Sequence, residues 1–134
     1  TTALEPGELL VEIRVPPLPQ HTGWEFQEVS RRYGDFALVG VAALLTLDEG
    51  GVMCQARLAF TGPTPMRRTK AEELLRGKKP GKDLFHEAAH LAVQDLEQDS
   101  DIHASADYRR KVAGALAGRA LERAAERALA RGKS

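Results

Sequence analysis

The chain has 134 residues, 43% of them hydrophobic and 28% charged, the size and make-up of one globular domain that buries roughly two-thirds of its unfolded surface. Nineteen basic side chains balance nineteen acidic ones, so no net field draws it to nucleic acid or to an anionic membrane. The lone cysteine, Cys54, excludes an internal disulfide and fits a reducing, cytoplasmic setting, and no apolar run is long enough to span a bilayer.

The chain opens at Thr1 with neither an initiator methionine nor a basic-then-apolar leader, which points to a piece excised from something longer. Glu8–Val15 (ELLVEIRV) places Leu9, Val11, Ile13 and Val15 on one face and charged residues on the other, a half-buried strand closed by Pro16, Pro17 and Pro19. A loop through Gln20–Gly23 leads to a second strand, Trp24–Arg32, with Trp24 and Phe26 on a common face. Phe36–Leu47 is a nearly unbroken apolar run and reads as a third strand buried on both faces. Between these two lies a Tyr33-Gly34-Asp35 corner. It holds Arg31, Arg32 and Asp35 on a rigid support, suited to a binding edge, although from these residues alone a solvated turn with ordinary surface arginines is the favoured reading.

Asp48-Glu49-Gly50-Gly51 is a hairpin signal, and Val52–Phe60 returns with Val52, Cys54, Ala56, Leu58 and Phe60 alternating against Met53, Gln55 and Arg57. Cys54 on that face reads as an inert buried thiol. After Thr61-Gly62-Pro63-Thr64-Pro65 the period becomes helical. Arg67–Arg76 stops at Gly77, Lys78–Lys82 is a basic linker, and Asp83 caps a helix running to about Gln98. A turn-rich stretch, Asp99–Ala104, precedes a long helix from Ser105 to Arg131 whose stripe of alanines suits close packing. Strands first (8–60) and helices afterwards (66–131) imply a single α+β domain over 1–134: an antiparallel sheet of three or four strands followed by three helices packed on one face.

His86-Glu87-Ala88-Ala89-His90 matches HExxH, in which two histidines share a zinc ion and the glutamate activates its water. Geometry argues against it. At about 100° per residue the apolar face is set by Leu84, Phe85, Ala88, Ala89, Leu91, Ala92, Val93 and Leu96, and the histidines lie roughly 120° and 160° from its centre. Val93 and Leu96 occupy the positions where an extended signature has its glycine and third histidine. No metal ligand set is therefore assigned. No serine sits in a nucleophile elbow, and no glycine-rich loop follows a strand to hold a diphosphate.

Six pieces in order carry a resemblance over nearly the whole chain. They are Leu4-Glu5-Pro6-Gly7-Glu8-Leu9, Phe26-Gln27-Glu28-Val29-Ser30-Arg31-Arg32, Gly34-Asp35-Phe36-Ala37-Leu38-Val39-Gly40-Val41-Ala42, Pro63-Thr64-Pro65-Met66-Arg67 with Ala71-Glu72, Gly77-Lys78, and Ser100-Asp101 with Ala104–Arg110. The chain resembles the C-terminal domain of the FAD-binding medium subunit of molybdenum hydroxylases, the carbon monoxide dehydrogenase and xanthine dehydrogenase group. The resemblance implies an oxidoreductase part without a complete active site of its own. It would cover the isoalloxazine ring of an FAD held by an upstream N-terminal domain absent from this chain. Its partners would be that domain, a molybdopterin large subunit and an iron–sulfur small subunit, with electrons passing through the flavin to an acceptor. Carried over position by position, Phe26 would stack on or shield the ring and Asp35 would accept a hydrogen bond from its N–H edge. Arg67 would place positive charge near the pyrimidine carbonyls, while Arg31 and Arg32 would position Asp35 or meet a partner subunit. The alternatives are a small zinc hydrolase built on His86, Glu87 and His90, and a non-catalytic docking module.

Overall fold

The computed structural model describes residues 2–61, 65–94, 96 and 105–132. The sheet has four antiparallel strands in sequential order: β1 (Thr22–Val29), β2 (Val39–Leu47), β3 (Met53–Thr61) and the two-residue β4 (Met66–Arg67). Three helices follow, α1 (Thr69–Leu75), α2 (Lys82–Gln94) and α3 (Ala106–Arg131). Helix α3 lies across β1 and β2, α1 rests on β3, and α2 bridges α1 and α3. The layered α+β architecture is the one expected. Among the described residues no helix is long and apolar enough to cross a membrane.

The core is the face of the sheet turned to the helices. Val39, Val41, Ala43, Leu45 and Leu47 from β2 and Met53, Ala56, Leu58 and Phe60 from β3 meet Phe85 and Ala88 of α2 and the alanine stripe of α3. Small residues on α3 bring its backbone close to the strands. At Gly23 a β-carbon would lie 1.9 Å from the Ala124 carbonyl oxygen, so only glycine fits beneath the helix. Arg127 fastens the same junction from the other side, donating to the Trp24 carbonyl at 2.6 Å and pairing with Glu25. Ser105 caps α3, its hydroxyl accepting the Tyr108 amide at 3.1 Å.

Several expectations need correction. Residues 8–15 are not a strand of this sheet: they are exposed and pair with none of its strands, and the fourth strand is Met66–Arg67 instead. Arg67 is therefore a strand residue, and α1 begins only at Thr69. The Phe36–Leu47 run is not buried on both faces throughout. Phe36 is fully exposed, the strand starts at Val39, and Ala42 and Leu44 look away from the helices. In β3 the alternation is out of phase at its start, because a bulge at Thr46/Leu47 pairs Leu47 with Met53 and Thr46 with Gln55. Cys54 is the extra residue. It is exposed, and Met53 is buried in its place.

Asp83 lies within the first turn of α2 rather than capping it, and α2 is helical to Gln94. The remainder of the expected helix to Gln98 (Leu96 aside), the Asp99–Ala104 stretch and the Gly62-Pro63-Thr64 turn lie outside the described residues. The Asp48–Gly51 hairpin is as expected: the Asp48 carboxylate accepts the amides of Gly50 and Val52, each at 2.9 Å, and Gly51 has φ +76°.

Candidate functional site

The sheet face opposite the helices is uncovered by any described element, and its side chains form a trough. Strand register sets the layout. Phe26 pairs with Ala42, Ala42 with Ala59, and Ala59 with Arg67, so these four share one rung across all four strands. Two alanines make the floor, and a large ring and a guanidinium stand at either end, roughly 14 Å apart at the usual strand spacing. Trp24, Leu44 and Arg57 form the neighbouring rung and complete a largely apolar concavity of about 280 Å³. Trp24 and Phe26 are each about half exposed, an unusual display of aromatic surface on one strand.

The Phe26 ring leans along the strands toward the β1–β2 corner. Its Cζ would be 3.4 Å from a β-carbon placed on Gly40. That corner holds a second hollow, about 350 Å³, lined by Arg31, Gly34, Asp35, Phe36 and Leu38. Its backbone is pinned at several points. The Asp35 amide donates to the Arg32 carbonyl at 3.1 Å, the Ser30 hydroxyl to the same oxygen at 2.9 Å, and the Leu38 amide to the Val29 carbonyl at 2.7 Å. Gly34 makes the turn at φ +89°, a value that a side chain resists. Arg109 of α3 reaches across to donate to the Leu38 carbonyl at 3.0 Å. Arg31, Arg32, Tyr33, Asp35 and Phe36 are all exposed on this scaffold.

The expected site residues thus fall into two groups with no lining residue in common. Phe26 and Arg67 share the trough, Arg31 and Asp35 share the corner hollow, and Arg32 contributes its carbonyl to the corner's shape. Asp35 faces outward, where a companion can reach it. Arg67 is already engaged: its Nε and terminal nitrogen bind both oxygens of Glu72, at 3.1 and 2.6 Å. Those hydrogen bonds first, and the carboxylate's charge second, raise the guanidinium above its ordinary value.

Glu72 is the residue the sequence reading passed over. Its carboxylate is buried and also accepts the Leu58 amide at 2.9 Å, continuing the β3 edge where the short β4 leaves off. Its place in the Met66-Arg67…Ala71-Glu72 piece was the available signal. His86 and His90 are exposed on α2, at the rim of a groove of about 970 Å³ between α2 and α3. Among the described residues no three His, Cys, Asp or Glu side chains gather closely enough to hold a metal ion.

Residues 24–124 match the model of the family described as CO dehydrogenase flavoprotein C-terminal domain. The chain belongs to that family. Among its relatives, the 6-hydroxypseudooxynicotine dehydrogenase complex subunit alpha of Paenarthrobacter nicotinovorans is 40% identical over 129 residues, covering 95% of this chain and 44% of the relative. The carbon monoxide dehydrogenase medium chain of Hydrogenophaga pseudoflava is 37% identical over 125 residues, 92% of this chain and 43% of its own. A solved structure of carbon monoxide dehydrogenase from Hydrogenophaga pseudoflava superposes with a TM-score of 0.83 at 37% identity, over 95% of this chain and 45% of that one. Quinoline 2-oxidoreductase from Pseudomonas putida 86 gives 0.75 at 38% identity, over 81% and 38%. The chain therefore spans under half the length of the subunits it matches. It is homologous to the medium, flavoprotein subunits of the carbon monoxide and xanthine dehydrogenase family, which are parts of oxidoreductase complexes.

Proposed function

We propose that this domain closes over the isoalloxazine ring of an FAD carried by the preceding part of the same subunit, and docks the subunit against its molybdopterin and iron–sulfur partners. The observation that carries the reading is the corner. Asp35 is exposed and held by a pinned backbone, at the end of the strand pair whose open face displays the Phe26 ring. An anchored outward carboxylate suits a hydrogen bond from a ring N–H, and a half-exposed phenyl suits the face of a planar heterocycle. When bound, the flavin supplies the capacity to take up two electrons and pass them on. This chain's own residues orient the ring and exclude water from it.

Arg67 fits a narrower role than the resemblance implied. With both Glu72 oxygens on its guanidinium, much of its charge is already balanced, so it walls the trough more than it attracts electron density. Arg31, in the hollow with Asp35, and Arg32, whose carbonyl shapes the turn, position the acidic corner.

Mixing the domain with the flavin-carrying part of the subunit tests the proposal. Flavin emission should change on complex formation, and Asp35→Ala should weaken that response about tenfold, the worth of one charge-assisted hydrogen bond. A complex that forms while the emission stays constant would make the domain a docking module and nothing more.

A further inference from the structure

Helix α3 grips the sheet with arginines at both ends. Toward its C-terminus Arg127 and Arg131 donate to the Trp24 and Thr22 carbonyls of β1, at 2.6 and 3.4 Å. Near its N-terminus Arg109 donates to the Leu38 carbonyl at 3.0 Å, across 71 positions of chain. The adjacent Arg110 turns the other way, to the Leu96 carbonyl and to Asp107, each at 3.3 Å.

Arg109 is the member of this set that meets the Asp35 corner. Leu38 lies between Asp35 and the first residue of β2 and lines the same hollow as Asp35. Its amide donates to the Val29 carbonyl and its carbonyl accepts from Arg109, so both backbone groups are committed. The corner's other bonds, Asp35 to Arg32 and Ser30 to Arg32, lie within the corner, and Leu38 to Val29 closes its neck. These fix its shape, whereas the bond from α3 fixes its bearing on the rest of the domain. The root of Arg109 is rigid in turn. Ser105 accepts the Tyr108 amide on its hydroxyl and the Arg109 amide on its carbonyl, at 3.1 and 3.0 Å. A cation so close to a helix N-terminus opposes the helix dipole, so helix formation alone does not favour an arginine here. The contact with Leu38 does.

We infer that Arg109 is a positioning residue for the flavin-facing corner. It acts through the corner rather than on the ring: it holds the turn at one angle to the helical layer and so presents the Asp35 carboxylate in a single orientation. A productive hydrogen bond of that kind tolerates a misplacement of only about 0.5 Å and about 10–20°, so the turn needs an anchor outside itself. The inference rests on the flavin-covering reading for its purpose, and the first of its two tests is independent of that reading.

The first test is amide hydrogen exchange on this chain. In Arg109→Met the Asp35 and Leu38 amides should speed up at least about tenfold more than those of Ala43 and Leu45, which report the stability of the whole fold. Arg109→Gln, milder in its change of polarity, carries the same comparison if Arg109→Met folds poorly. Arg110→Met should leave the corner at the parent rate. Acceleration spread evenly over corner and core, or an unmoved corner, would overturn the inference and leave Arg109 an ordinary fold contact.

The second test is the flavin response of the chain joined to the flavin-carrying part of its subunit. Arg109→Met should reduce it about threefold, and Arg109→Lys, which keeps a donor, should recover most of that loss. The D35A/R109M double variant should match Asp35→Ala alone, since the arginine works only through the corner. A double variant that loses more than Asp35→Ala would overturn the inference by showing a route that bypasses Asp35. A silent Asp35→Ala sinks the flavin reading whatever the amides do. A responsive Asp35→Ala with an unmoved corner in Arg109→Met sinks this inference alone.

Discussion

Gly40 lies beneath both Phe26 and Thr61. A β-carbon there would stand 2.6 Å from the Thr61 hydroxyl, 3.1 Å from its methyl and 3.4 Å from Phe26 Cζ. The contact with Phe26 would be an ordinary van der Waals one, so the clash that demands glycine is with Thr61. Gly40→Ala must displace Thr61, a stiff β-branched neighbour at the end of β3. It should destabilise the fold by about 1–2 kcal/mol in urea denaturation, and Gly40→Val should cost more. If Gly40→Ala is neutral while the flavin response of the joined protein is lost, the glycine matters only for placing the ring.

A sharper clash exists at Gly23, where the added carbon would meet backbone rather than side chain: the Ala124 oxygen at 1.9 Å and the Ala128 nitrogen at 2.4 Å. Backbone of a 26-residue helix cannot step aside locally, so α3 must lift from β1. Gly23→Ala should cost ~3 kcal/mol or more, seen as a large drop in the denaturation midpoint. Gly81→Ala, with nothing within 4 Å, is the control and should change stability little.

Much of this fold is written in local periodicity. The Asp48–Gly51 hairpin, the stop at Gly77 and the alanine stripe of α3 each follow from a few neighbouring residues, and each is where that logic places it. What escaped was non-local. The bulge opposite Thr46 shifts the phase of β3 and turns Cys54 out, although its own alternation looks regular. Residues 8–15 alternate like a strand apart from Leu10, yet they pair with no strand of this sheet. At the candidate site, the exposed turn that carries Asp35 is legible in the Tyr33-Gly34-Asp35 corner, whereas a role for Phe26 comes only from the family resemblance. Glu72 was not, because its role arises only when a short β4 leaves the Leu58 amide in need of an acceptor.

The HExxH match makes a clean negative prediction. His86 and His90 are exposed, and among the described residues no third ligand joins them. Purified protein should contain far less than one zinc per chain by elemental analysis. The H86A/H90A double variant should melt within about 0.5 kcal/mol of the parent, as surface changes do. Stoichiometric zinc, or a large fall in stability on chelation, would instead revive the hydrolase reading.

The Arg67–Glu72 pair carries the last prediction, because it joins the trough wall to the β3 edge. Replacing Glu72 by alanine strands the buried Leu58 amide, which alone costs about 1–3 kcal/mol, and frees the Arg67 guanidinium to swing. Glu72→Gln keeps an acceptor for Leu58 and should recover part of that loss while still weakening the hold on Arg67. The pH behaviour follows from the sign of the shift. Arg67 is raised in the folded state, by its hydrogen bonds to Glu72 and then by that group's charge, so its contribution is complete below the unfolded guanidinium value and fades only as pH climbs through the folded one. Both lie in strong alkali, far above any working buffer. The gap in denaturation midpoint between the parent and Glu72→Gln should therefore stay flat from about pH 6 to about pH 9. A gap that closes within that window would mean that some other titrating group, and not this pair, ties the strand edge to the helix.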